Sequence, residues 1–227
     1  MTKLLKAEVY KIFHSIYFWL IWAIYLAINT ILVPDFVNRG MTWIRSSLFY
    51  GTYLFFMVVA LAVAAFGNDM EHRVLDNYVA AGHSRFSVFL SKTLVYLTCG
   101  TIMLTATLLI HTLIGHLTNG DQFDYRTVIM LIPSFVATCT IPMFFAFIFQ
   151  DIGKTLVLGL ISFVVMVTAL NYDSVSEKII YLPFAQRLVF FSGTADGHLA
   201  LMLVIDVIWI VVFTAGSYLA FCRRDLK

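Results

Sequence analysis

Asp206 is the only charged side chain inside any long apolar run of this sequence, where it interrupts Leu199–Cys222. Burying an acid in such a run is costly, and it marks a candidate functional site. Asp206 lies roughly two turns, about 10 Å, from the N-terminal end of its run. At that depth it could pair with Arg187 or Lys178 from the preceding segment, hydrogen-bond across a helix interface, or guide a cation or substrate. His111 and His116 share another run, but five residues set them about 140° apart on a helix, whereas i, i+4 ligands share one face. Metal or haem binding is not expected there, and His116 is close enough to the run's end to be solvated. On the same run Thr98, Thr101, Thr105 and Thr112 form a polar seam of the kind that joins helices.

Gly153-Lys154-Thr155 resembles the end of a phosphate-binding loop. That motif needs a glycine where this chain has Ile148, and it needs a soluble strand-to-helix setting, so ATP is not expected to bind here. No GxSxG, no HExxH and no pair of intramembrane acids is present. An enzyme is therefore not expected, and neither is a cofactor held by this chain. Cys99, Cys139 and Cys222 have neither metal-ligand spacing nor an exterior segment to staple, so they are expected to be small buried side chains.

The elements that must position these residues follow from composition. Of 227 residues, 61% are hydrophobic and 12% charged, about half the charge of a soluble domain. A water-soluble globule and a disordered chain are both excluded, and a net charge of +2 does not point to nucleic acid. Uncharged runs of membrane-spanning length occur at Ile16–Val33, Ser47–Gly67, Thr93–Leu117, Thr127–Phe149 and Leu199–Cys222. Thr155–Leu170 is slightly short, but Lys154 and Tyr172 can snorkel to the two interfaces. The sequence thus predicts an all-α integral membrane protein, one transmembrane domain over residues 1–227 with six transmembrane helices. Ten lysines and arginines fall on the side of the termini and five on the other, so both termini are expected in the cytoplasm. The first run is too long for a secretory signal.

Outside the runs, Leu5, Val9, Ile12, Phe13 and Ile16 share one helical face, with Lys3, Lys6 and Lys11 elsewhere. This predicts an N-terminal interfacial helix, or a basic start that only sets topology. Between the second and third runs, Val74, Leu75, Tyr78 and Val79 form a short apolar stripe. Gly82 follows as a C-cap candidate, and Ser84 as N-cap of the next helix. The stripe must be covered by membrane or by a protein groove. The external segment Asn171–His198, with Phe184, Phe190 and Phe191 around Arg187, predicts two short helices dipping into the bilayer as a re-entrant hairpin, or a cap over the spans.

This layout, with Phe66-Gly67-Asn68-Asp69-Met70-Glu71, Val79-Ala80-Ala81-Gly82-His83-Ser84-Arg85 and Phe89-Leu90-Ser91-Lys92, resembles the type-2, exporter-type permeases of ATP-binding-cassette transporters. The resemblance covers the whole chain in architecture and about 25 residues in motif. It implies that Arg73, Val74, Leu75, Asp76, Asn77, Tyr78 and Val79 form a coupling helix that docks on a separate ATPase subunit. It also implies ATP and magnesium in that partner, a second permease subunit of the same or similar sequence, and a bacterial plasma-membrane location. The implied cargo is amphipathic, such as an antimicrobial or toxin-like peptide. In that frame Asp206, Phe184, Phe190 and Phe191 are expected along the cargo path. The rival reading is a self-contained channel or carrier. It is disfavoured because Pro133 and Pro142 both fall in the fourth span instead of at matching places in two repeats.

Overall fold

The computed structural model describes residues 2–71, 74–170 and 179–223. Among these the chain is helical, with no strand. The elements are α1 (Thr2–Phe13), α2 (Ile16–Val37), α3 (Trp43–Tyr50), α4 (Leu54–Ala62), α5 (Asn68–Glu71), α6 (Val74–Ala80) and α7 (Arg85–Asn119). After these come α8 (Tyr125–Met130), α9 (Ile132–Phe149), α10 (Ile152–Leu170), α11 (Pro183–Ser192) and α12 (Leu199–Cys222). Four stretches are long and apolar enough to cross a membrane: α2, α7, α8 with α9, and α12. The bent pair α3 and α4 makes a fifth, and α10 is a shorter apolar helix.

The second run is broken where the sequence predicts one straight span. A 3-10 turn at Gly51–Tyr53 separates α3 from α4, and the two are bent by 58°. The cause sits far away in sequence. Arg187 donates to the carbonyls of Leu48 and of Phe49, the latter at 2.9 Å, satisfying groups that the break frees. Gly51 makes room for it, since a Cβ there would stand 3.2 Å from the Arg187 Cδ. The fourth run also divides, at Leu131. Pro133 lacks the N–H that would continue the ladder back into α8.

Gly82 and Ser84 close the connection between α6 and α7 as the sequence predicts. Gly82 adopts φ +91. Its N–H reaches Val79 at 3.0 Å, and that of His83 reaches Tyr78 at 3.2 Å, the Schellman arrangement that ends α6. The Ser84 hydroxyl then accepts from the Ser87 N–H and starts α7. At its far end α7 stops at Gly120, φ +70.

The core is aromatic. Phe66 stands 5.0 Å from Tyr96 and 5.1 Å from Phe147, which meets Phe89 at 5.1 Å, joining the second, third and fourth runs. Polar ties hold α2 to α7, with Trp22 donating to Thr107 and Thr30 meeting His111. The outward faces of α2 and α12 carry Ile31, Val204, Val207 and Val211 exposed, a surface suited to lipid tails. The threonine seam divides. Thr112 is buried, Thr101 and Thr105 are half-buried, and Thr98 is exposed. Only its outer end therefore lies inside a helix interface.

Candidate functional site

One end of the bundle is built around α6. Leu75 is its anchor, fully buried, while Val74, Tyr78 and Val79 are half-buried and Asn77 and Ala80 face outward. Arg73, expected in the same helix, lies outside the described residues. A seven-residue helix with one deep anchor and Asn77 and Ala80 outermost is a platform, fixed below and presented above. Its exit is held as well, because Arg85 donates to the carbonyl of Cys222 at the end of α12. Cys222 itself is half-buried, unlike buried Cys99 and Cys139.

Beneath the platform lies an ionic cluster that sequence reasoning missed. In the sequence Lys92 stands just ahead of the third run, which begins at Thr93. In the structure it sits two turns inside α7 and is 3% exposed. Its ammonium donates to Glu8 of α1 at 2.8 Å and to Asp69 of α5, and Asp69 also accepts from Lys11. Glu8, Asp69 and Lys92 are all buried and hold their charges out of water, while Lys11 completes the cluster from its exposed edge. Tyr78 of α6 places its ring centroid 5.8 Å from the same ammonium. The visible signal was Glu8, on α1 between the apolar positions Leu4 and Ile12. Those three positions are the buried face of α1, whereas Val9 and Ile16, expected on the apolar face, are exposed.

At the opposite end the predicted path residues separate. Asp206 is 1% exposed, and its polar neighbour is the Gln186 side chain. The expected pairing with Arg187 does not form, because that guanidinium is committed to the end of α3. Lys178, the other proposed partner, lies outside the described residues. Burial pushes Arg187 down to about 10, which leaves it charged at neutral pH. Phe184 is buried 6.3 Å from Phe55, and Phe191 packs 5.3 Å from Phe49. Phe190 alone of the four lines the cavity at this end, about 760 Å³, together with Ile44, Arg45, Asp121, Tyr125 and Asp196. Of the two helices expected in this segment, α11 is described and is wedged against α3, α9 and α12. The stretch 171–178 lies outside the described residues. α11 is therefore part of the core.

The remaining candidates have structural partners. His111 meets the Thr30 hydroxyl at 3.0 Å and the Ser47 hydroxyl at 2.8 Å, tying three helices. Gly153-Lys154-Thr155 forms the first turn of α10, where the Asp151 carboxylate accepts from the Lys154 N–H at 2.7 Å. No family model, no curated protein and no solved structure matches this chain.

Proposed function

We propose that this chain is the membrane-spanning permease subunit of an ATP-driven exporter, with a separate ATP-binding-cassette ATPase docking on α6. The carrying observation is the α6 platform, anchored by Leu75, closed at Gly82 and joined through the Ser84 cap to a 35-residue helix. Such a platform passes displacement at its outer face into the bundle, since α7 runs from the cytoplasmic end to the far end. In this reading six spans cross a bacterial plasma membrane and both termini are cytoplasmic. A second permease subunit, the same or similar, completes the path, and the partner ATPase holds ATP and magnesium. This chain has no enzymatic role, and the cargo is an amphipathic peptide of antimicrobial or toxin-like type. ATP binding favours one arrangement of the spans, and α6 carries that differential free energy.

Purification of the full chain from its native membranes tests this. An ATP-binding-cassette ATPase should co-purify, and its hydrolysis should respond to the permease. Proline at Asn77 or charge reversal at Asp76 should leave the spans inserted and hydrolysis running, yet reduce export to the level of an ATPase-dead complex. Proline breaks a helix at a cost of about 3 kcal/mol or more, and the flanking spans do not depend on it. Full export by the proline variant would remove the coupling role. Solute passage by the chain alone in liposomes would favour the channel or carrier instead.

A further inference from the structure

Lys92 stands where three cytoplasmic elements meet. It belongs to α7, reaches α1 through Glu8 and α5 through Asp69, and faces the Tyr78 ring of α6. Each contact alone has a bland explanation, since a buried lysine needs acids and an aromatic ring near a cation is common. Together they give a single ammonium whose position is shared by α1 and α6. It cannot shift toward one without drawing on the other, because Glu8, Asp69 and Lys92 are all nearly inaccessible to water that could take over a lost contact. Lys11 balances the cluster from its edge and is 44% exposed, so it is replaceable by solvent in a way that Lys92 is not.

We propose that Lys92 is the positioning residue that couples α6 to the N-terminal helix α1, so that a displacement of the platform moves α1 as well as α7. This rests on the coupling role proposed for α6 but goes beyond it, because it assigns α1 a moving part in the same device. The Tyr78 contact is the α6 arm and the Glu8 pair is the α1 arm. Asp69, which also holds Lys11, is the fixed seat.

The test uses the full chain in nanodiscs with nitroxide labels at the exposed positions Asn77 on α6 and Lys6 on α1, read for mobility and for their mutual distance. Tyr78→Leu should raise the undocked population at Asn77 about 2- to 5-fold, the loss of one cation–π contact, and leave Lys6 unchanged. Glu8→Gln should mobilise Lys6 and leave Asn77 unchanged. Lys92→Met should mobilise both and broaden the distance, and Lys92→Arg should restore the α1 arm. If Lys92→Met fails to insert, the Tyr78 and Glu8 variants, which keep the Lys92–Asp69 pair, decide alone. An Asn77 label indifferent to Tyr78→Leu would overturn the proposal, leaving Lys92 as a pin for α1 only. Labels that respond as expected in a chain that binds no ATPase would keep the Lys92 hub and remove the exporter reading. An ATPase that binds while the labels stay indifferent would do the reverse.

Discussion

Neutralising Asp206 removes no ion pair, since the polar side chain beside it is Gln186 and Arg187 is engaged at the end of α3. Asp206 Oδ1 and Gln186 Oε1 are both buried without a donor. Asp206→Asn brings an N–H pair into that gap, so thermal unfolding of the detergent-purified chain should hold or rise, by the equivalent of about 1 kcal/mol. Asp206→Ala leaves Gln186 Nε2 on the carbonyls of Ile180 and Met202 but brings no donor to its Oε1, so this variant should unfold earlier than the Asn variant. An Asn variant that unfolds as early as the Ala variant would mean that the carboxylate is held by a cation after all. Arg187 offers the opposite case. Arg187→Met leaves the carbonyls of Leu48 and Phe49 without their charged donor and should cost about 1.5–3 kcal/mol. Arg39, paired with Asp35 at 3.2 Å with both side chains more than half exposed, is the control, and Arg39→Met should leave the unfolding temperature where it was.

Helix against helix, α7 comes close to α9 at Gly100. A Cβ on Gly100 would come within 2.7 Å of the Cys139 sulfur and 3.8 Å of its Cβ. Gly100→Ala should therefore destabilise by about 1–3 kcal/mol through overpacking. Adding Cys139→Ala removes the sulfur and should recover most of the loss, a coupling that a double-mutant cycle reads directly. What the sequence could and could not reveal divides along the same line of distance. The last span, the Gly82 stop and the Ser84 start were legible because apolar length and capping chemistry are local. The break in the second span was not, because the residue that stabilises it, Arg187, lies 139 positions from Leu48. Lys92 had the appearance of an interfacial base, since its acids come from other elements and only folding brings them beneath it. The face of α1 was misjudged for the same reason. Apolar periodicity ignores Glu8, yet Glu8 is buried because a lysine from α7 receives it.

For the molecule as a whole, the short helix α10 decides how many times the chain crosses. Its 19 residues span about 28 Å, just under the thickness of a hydrocarbon core. At its start, Ile152 lies against Gly67, near the ionic cluster around Lys92. Beyond its end, Asp196 pairs with Arg126 at 3.4 Å and lines the cavity shared with Arg45 and Asp121. Residues that follow the first, third and fifth runs therefore gather at one end, which favours a crossing by α10 and six spans in all. The measurement is thiol labelling in intact cells, with Cys99, Cys139 and Cys222 replaced and single cysteines introduced at Asn77 and Asp196. Both sites are away from the apolar faces, and the Asp196 side chain is 82% exposed. An impermeant maleimide should reach the Asp196→Cys chain from outside and the Asn77→Cys chain only after permeabilisation, the orientation that the excess of lysine and arginine on the α6 side requires. If α10 did not cross, Asp196 would share the side of Asn77 and label only after permeabilisation. The 3.4 Å pair with Arg126 could not then exist in the membrane.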